Sequence, residues 1–481
     1  MSNKGGSEGH FVRAIGLFDA TSLVVGSMVG SGIFIVSADI AREVGAPGWM
    51  LAVWALTLFI TVVACVSYGE LAGMFPGAGG QYVYLREAFG PLPGFLYGWT
   101  LFLVIQSGSI AAVGVAFAKF LGVLVPEVSG DNVLVQFGDW SWFGKISMDQ
   151  VVGIAIVAIL TAINCVGVKA GKWIQNIFTV LKMLALLAVI GIALFATTAP
   201  NAALTAPGFW DPIVGGNSLG AMDLVGAIGV AMVGSLFAAD AWNNITFIGG
   251  EVKDPKRTIT LAMVIGGAVV CGLYLIVNIA YLKVLPFEGV QNAANDRVAT
   301  AALQAVLGPR GELFMAIAIM VSTFGAVNGM VLQGPRLYYA MAVDGLFFSR
   351  AGHLGAKSNV PVWGTIAQGV WSAVLCLTGK YGDLLDYVIF AALLFYALTV
   401  AGIFVLRRKR PELPRPYRAW GYPVVPALYV ILCCGIMGVL LVKKPMYTWP
   451  GLGIVLSGVP VYFLWRHLRK PAGDPKLPTS A

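Results

Sequence analysis

The sequence predicts an all-α integral membrane protein that crosses the bilayer twelve times, and three observations carry that prediction. Only 11% of the residues are charged against 58% hydrophobic, whereas a soluble domain carries about 25% charged residues. Apolar stretches of about 18 residues or more, the length a helix needs to cross a bilayer, recur from the N-terminal region almost to the C-terminus. These stretches are apolar all round and longer than the ~10-residue alternating segments of a transmembrane barrel, so helices are expected rather than strands. The 60 glycines agree, since membrane helices use small residues for close packing.

The spans are read at residues 15–44, 47–72, 86–124, 150–168, 172–197, 221–250, 258–284, 312–342, 361–378, 383–406, 423–442 and 447–466. Numbered in that order, spans 1, 3, 6 and 8 exceed the ~20 residues of a perpendicular crossing, so they must tilt, break or project. A polar loop holding Glu127, Asp131 and Asp139 separates spans 3 and 4, and a second loop, 286–311, separates spans 7 and 8. Residues 1–14 and 467–481 read as tails. With both tails on one side, about 21 of the 31 Lys and Arg fall on that side and about nine on the other, a bias that places both termini in the cytoplasm. The majority includes Lys253, Lys256 and Arg257, the cluster Arg407-Arg408-Lys409-Arg410, and Arg466, Arg469 and Lys470. The pair Lys443-Lys444 runs against it.

The net charge of +8 therefore has a topological cause, and no nucleic-acid partner is expected. The first apolar stretch is too long for a cleavable signal peptide and lacks a small-residue cleavage site. Cys65, Cys165, Cys271, Cys376, Cys433 and Cys434 all fall inside apolar spans. None is placed for a loop disulfide and none has metal-ligand spacing. His10, His353 and His467 lie in loops or tails, and no hydrolase, metalloprotease or phosphate-loop motif occurs. Neither an enzyme nor a cofactor is expected.

Two spans are interrupted where a transporter of inverted repeats places its substrate. In span 1, Gly26-Ser27-Met28-Val29-Gly30-Ser31-Gly32 sets small residues in mid-membrane; in span 6, Phe237-Ala238-Ala239-Asp240-Ala241-Trp242-Asn243-Asn244 does so with polar ones. Each opens a group of five spans, 15–197 and 221–406, with 423–466 trailing. Unwinding at Gly30–Gly32 frees N–H groups at a partly positive helix start, which suits a carboxylate. Unwinding at Phe237–Asp240 exposes carbonyls at a partly negative helix end, which suits an ammonium group. Such a site holds both poles of an α-amino acid. The glycine run also fits a packing face, since Gly26 and Gly30 are four apart.

Asp240 is a carboxylate in mid-bilayer, which costs at least ~2.5 kcal/mol on insertion scales and so asks for a reason. It reads as a contact for the substrate amine or a cationic side chain, or as a structural partner for Asn243 and Asn244. Lys182, about ten residues into span 5, is too deep for comfortable snorkelling. Its ammonium replaces a bound sodium ion near the span 1 break or titrates as a proton site. Phe237 is a candidate gate and Trp242 a candidate pocket wall, although packing is the commoner use of such aromatics. Phe390 and Tyr396 in span 10 are poorer candidates. Met28, Gly30, Ser31, Gly32, Phe237, Ala238, Asp240, Trp242 and Asn243 form the candidate substrate site, with Lys182 beside it.

Several motifs resemble one family. Gly30-Ser31-Gly32-Ile33-Phe34 is similar to the span 1 signature of the amino acid–polyamine–organocation superfamily. Tyr68-Gly69-Glu70-Leu71, Pro76-Gly77-Ala78-Gly79-Gly80-Gln81-Tyr82 and Gly90-Pro91 resemble its span 2–3 region. Phe237 to Asn243, followed by Gly250-Glu251-Val252-Lys253-Asp254-Pro255-Lys256-Arg257, resemble its span 6 and the loop behind it. Phe324-Gly325-Ala326-Val327-Asn328-Gly329 with Arg336-Leu337, Arg408 to Leu413, and Leu456 to Tyr462 resemble the L-type amino acid transporters, in their prokaryotic branch.

The resemblance implies a LeuT-type bundle of two five-helix inverted repeats plus two helices, working by alternating access, sodium-independent and often as an exchanger. It implies a carboxylate cradle at Gly30, Ser31 and Gly32, amine carbonyls at Phe237, Ala238 and Asp240, an aromatic gate at Phe237, and Lys182 at the sodium position. The expected partners are an amino acid and the bilayer of the cell (inner) membrane. Residues 125–149 lack the cysteine by which animal members join a glycoprotein chain, so no disulfide-linked heavy chain is expected. Ala239 stands where a tyrosine is common, leaving a roomier pocket, and Asp240 where large-neutral carriers have a glycine, a variant that the resemblance associates with broader specificity, including cationic amino acids. Small or medium neutral amino acids are the main substrates expected, with cationic ones as a second class. Proton-coupled symport of amino acids or polyamines, and a sensor that binds without transport, are the competing readings.

Overall fold

A computed structural model describes residues 11–136, 145–196, 203–378 and 381–468. Asp139 and most of the two tails lie outside these residues. Ten of the described helices are long and apolar enough to cross a membrane. Span 1, divided into Leu17–Met28, Gly32–Ile35 and Ser37–Val44, and span 9, Val362–Cys376, add shorter ones. The others are span 2 (Pro47–Met74), span 3 (Pro91–Leu124), span 4 (Met148–Val166), span 5 (Val168–Phe195), span 6 (Ala221–Ala238), span 7 (Pro255–Val284), span 8 (Pro309–Val343), span 10 (Tyr381–Lys409), span 11 (Val424–Lys443) and span 12 (Pro445–Leu468).

Three boundaries depart from the sequence reading. Span 3 starts at Pro91 rather than 86, because Gly90 adopts φ +98° and Pro91 opens a new helix. Residues Gln81–Phe89 form a separate helix before it. Glycine carries the positive φ without a side-chain penalty, and proline suits a first helical turn. The 286–311 segment contains two helices, Phe287–Gln291 and Val298–Leu307. Span 6 is α-helical only to Ala238, not to 250; Ala241 takes φ +69°, and the chain continues as 3₁₀ turns at Asn244–Phe247 and Gly249–Glu251.

Span 2 packs along span 7, span 3 along span 8, and span 4 along span 9. The breaks of spans 1 and 6 also meet, at Gly32 and Ala238. Each is a pair five spans apart, the pairing that interlocked inverted repeats produce. The two repeats thus bury each other's equivalent faces, with both breaks at the centre.

Ion pairs tie the basic face of this bundle. Arg336 of span 8 donates from Nε to Glu251 at 2.8 Å, with both side chains 1% exposed. The Glu251 carbonyl also accepts the N–H groups of Ala14 and Ile15 at 3.0 and 3.1 Å, fixing the segment before span 1. Glu70 of span 2 holds Arg407 through two bonds of 2.9 and 2.6 Å and accepts the Ala419 N–H at 2.7 Å. Lys172 reaches Asp19 at 2.9 Å.

Removing one partner of a buried pair strands the other and costs about 3–5 kcal/mol. Arg336→Met and Glu251→Leu should therefore each lower unfolding stability by about that much. The double variant should lose less than the two singles combined, by about 1 kcal/mol or more of coupling, in denaturant unfolding of the purified protein.

Candidate functional site

At the span 1 break, Val29 leaves the helical region for φ −76°, ψ 90°, and the helix resumes at Gly32. In hydrocarbon each backbone group freed by such a break must find a partner in the protein or in a cavity. The carbonyls on the inner side of the break are served by side chains. Lys182, 1% exposed, donates from Nζ to Gly26 O at 2.7 Å, Val29 O at 2.8 Å and Ser322 O at 2.8 Å. The Ser322 hydroxyl lies 2.9 Å from Val29 O and 3.0 Å from Gly30 O and donates to them. Lys182 therefore ties span 5 to spans 1 and 8 together, through main-chain oxygens alone.

The span 6 break is held differently. The N–H of Asp240 bonds to Phe237 O at 3.1 Å, and that of Asn244 to Ala241 O at 3.2 Å. The hydroxyl of Tyr274, on span 7, stands between the two breaks and shares its one proton between Met28 O at 3.1 Å and Ala238 O at 3.2 Å. It occupies a carbonyl expected to meet the substrate amine. On the far side, the Tyr396 hydroxyl donates to Asp240 Oδ1 at 2.5 Å and to Asn243 Oδ1 at 3.3 Å.

A small cavity lies between the breaks. It brings together Met28, Gly30, Ser31, Gly32, Phe237, Ala238 and Asp240 of the predicted set, with Ser109 and Val113 from span 3 and Ala326 and Met330 from span 8. Gly30 opens into this space, since a Cβ there would meet only Ala326 at 3.9 Å. Gly32 does not: a Cβ there would stand 2.8 Å from that of Ala238. Gly26 is a packing glycine, with Gln175 and Thr179 of span 5 where its Cβ would be. The glycine run thus packs closely at Gly26 and Gly32 and opens onto the cavity at Gly30.

The remaining candidates lie elsewhere. Lys182 sits behind the span 1 loop, away from the cavity lining. The left-handed turn at Ala241 directs Trp242 and Asn243 away from the glycine loop. Trp242 packs edge-on against Tyr68, with centroids 4.7 Å apart, and 5.5 Å from the Tyr396 ring. Asn243 is buried and donates to Gln81 at 2.8 Å. Two further, water-sized spaces share Asp240 and Tyr396. Trp242 and Thr61 line one; Tyr97, Gln106, Ser109 and Asn244 line the other. Asp240 is therefore the junction of three spaces.

Sequence reasoning missed Tyr274 and Ser322 and ranked Tyr396 low. Their signal was a hydroxyl in an apolar span, which needs a partner when buried. It missed as well a buried amide chain behind Lys182. There Asn164 donates to Asn328 at 3.0 Å, Asn328 to Gln175 at 2.9 Å, and Gln333 to Ser27 at 2.8 Å.

Comparison with known proteins agrees with this geometry. Residues 15–459 match the family model for amino acid permeases. The human large neutral amino acids transporter small subunit 2 is 30% identical over 477 residues, covering 98% of this chain and 84% of the relative. The human b(0,+)-type amino acid transporter 1 is 29% identical over 467 residues, covering 95% and 88%. The mouse form of the former is 30% identical, covering 98% and 85%. With two interlocked repeats, two facing breaks and similarity of this extent, the chain belongs to the amino acid permease family, as a multi-pass amino acid transporter of the L-type group with the LeuT-type fold.

Proposed function

We propose that the cavity between the breaks binds the α-carboxylate and α-ammonium groups of one L-amino acid, and that the protein exchanges amino acids across the membrane by alternating access without sodium. The observation that carries this reading is the contact of the two breaks at Gly32 and Ala238. It sets a helix start and a helix end, of opposite partial charge, on one cavity small enough to require both poles of a single small molecule. The N–H groups of Ser31 and Gly32 cradle the carboxylate. The amine lies against Asp240 and the carbonyls of the span 6 break other than Ala238 O, which Tyr274 holds.

Lys182 supports sodium independence. Its ammonium carries one positive charge among carbonyls of spans 1 and 8, the ligand set a monovalent cation would require. Main substrates are small or medium neutral amino acids, since the cavity between the breaks is small and lined mostly by apolar side chains and serines; one relative's name specifies large neutral ones. Cationic amino acids are a second class, reached through Asp240.

Both termini are assigned to the cytoplasm from the Lys/Arg bias, in the inner membrane of the cell. The repeats run 15–197 and 221–406, with 1–14 and 467–481 as cytoplasmic tails. Although one relative is named a small subunit, residues 125–149 contain no cysteine, so no disulfide-linked partner is assigned.

A carboxylate held by charged hydrogen bonds gains about 1.5–3 kcal/mol per bond. A methyl at Gly30 enters the cavity without a packing clash, so Gly30→Ala should weaken amino acid binding by roughly tenfold or more in a folded protein. Gly32→Val should abolish binding altogether. Equilibrium binding to purified, monodisperse variants checks both, and wild-type affinity in either would remove the cradle.

Lys182→Ala leaves its three carbonyls without their shared donor and should reduce exchange in liposomes by about tenfold or more. Wild-type exchange should be the same in sodium and in choline; a steep rise with sodium would contradict the assignment.

For Asp240→Asn, competition with neutral and cationic amino acids separates two roles. Attraction of roughly 4 kcal/mol between charges 4 Å apart at an effective dielectric near 20 survives only in part after desolvation. A loss of about tenfold confined to lysine and arginine places the carboxylate on the substrate side chain. A uniform loss places it on the α-amine. No change in either panel would make Asp240 structural.

A further inference from the structure

A second concave surface lies on the outside of the bundle, away from the transport site. Phe102 of span 3 and Trp363, Ile366, Ala367, Val370 and Trp371 of span 9 line a groove. Ile366 and Val370 are 48% and 60% exposed, so the groove opens to the bilayer. Its wall is fixed from behind. The Trp371 indole N–H donates to Leu103 O at 2.8 Å, inside the five-residue π-helical segment Leu101–Ile105 of span 3. That indole is therefore committed to the protein rather than to an interfacial headgroup.

The groove runs two turns along span 9, about 12 Å from Trp363 to Trp371 at helical rise, a length that suits an extended hydrocarbon chain. One end is aromatic and basic. Trp363 lies 5.5 Å from the Phe348 ring, and Phe348 lies 4.9 Å from Trp465 of span 12. Arg350 is two residues from Phe348, Arg466 is next to Trp465, and Lys357 precedes span 9; all three are exposed. Among the described residues, no carboxylate forms an ion pair with any of them. Asp344 is the acid of segment 344–361, and it is already bound by Arg86 and by the Tyr82 hydroxyl at 2.6 Å. An apolar channel for a chain thus ends at exposed positive charge, with interfacial tryptophans between.

We propose that this groove and its rim bind an anionic glycerophospholipid of the leaflet on the basic face, with an acyl chain along Trp363–Trp371 and the phosphate at Arg350 and Arg466. Basic recesses between spans hold such headgroups, and each Lys or Arg near the surface adds to the attraction. The two-part site explains why apolar groove and unpaired arginines meet at one place.

Native mass spectrometry of the full chain tests it, with phosphatidylglycerol and phosphatidylcholine of matched acyl chains. Phosphatidylglycerol should be retained about tenfold or more tightly. Arg350→Gln with Arg466→Gln should bring it to the phosphatidylcholine level. Val370→Trp, which fills the groove, should release both lipids, and glycerol phosphate without acyl chains should not compete. Equal retention of the two lipids, or retention untouched by the arginine pair, would overturn the proposal. So would a dimer that Val370→Trp disperses, because the groove would then be a self-association surface.

Discussion

A helix broken in mid-membrane must satisfy its freed backbone groups without water, and that constraint shapes the centre of this protein. Spans 1 and 6 both stop being helical at the same depth, and the exposed carbonyls and N–H groups fall into two sets. Those facing the protein are met by side chains: Lys182 and Ser322 for Gly26, Val29 and Gly30, and Tyr274 for Met28 and Ala238. Those of Gly30, Ser31 and Gly32 border the cavity in which we propose the substrate binds. The donors that complete the break are drawn from spans 5, 7 and 8, so its integrity depends on the packing of spans from both repeats.

That packing has little freedom. Gly26, Gly32, Gly325 and Gly329 each lie where a Cβ would strike a neighbour: Gln175, Ala238, Phe178 or Lys182, and Ser27 respectively. Close approach lets Lys182 reach main-chain oxygens on two other spans with a single side chain. It also couples the parts that alternating access must move. A rigid shift of span 1 against span 8 would have to break the bond between the Ser322 hydroxyl and Val29 O. On the basic face, the buried pair of Glu251 and Arg336 links the segment before span 1 to span 8.

Much of this was legible in the sequence, for definite reasons. Twelve spans follow from apolar length and charge bias, and the breaks from glycine, serine and a carboxylate where a helix should be featureless. Lys182 and Asp240 stood out because charge in hydrocarbon needs an explanation. Trp242 and Asn243 lie apart from the glycine loop, Trp242 lining a neighbouring space with Asp240, because the chain is not helical past Asp240. Ala241 instead turns left-handed, and 3₁₀ geometry sends the next residues toward Tyr68 and Gln81. Tyr274, Ser322 and Tyr396 were obscure since a hydroxyl in a span has the same local pattern whether it packs, caps a carbonyl or orients a carboxylate. Only tertiary contact separates these roles.

Calorimetric binding with the purified protein tests the central claim, that one cavity joins a carboxylate cradle to an ammonium site beside a lysine in place of sodium. The ligands are a panel of neutral L-amino acids, their amides, which lack the carboxylate, and their N-acetyl derivatives, which lack the ammonium group. Each is measured in sodium and in choline buffer. The account predicts binding of the intact amino acids alone, with equal affinity in both buffers. Comparable affinity for either derivative, or binding that requires sodium, would contradict it.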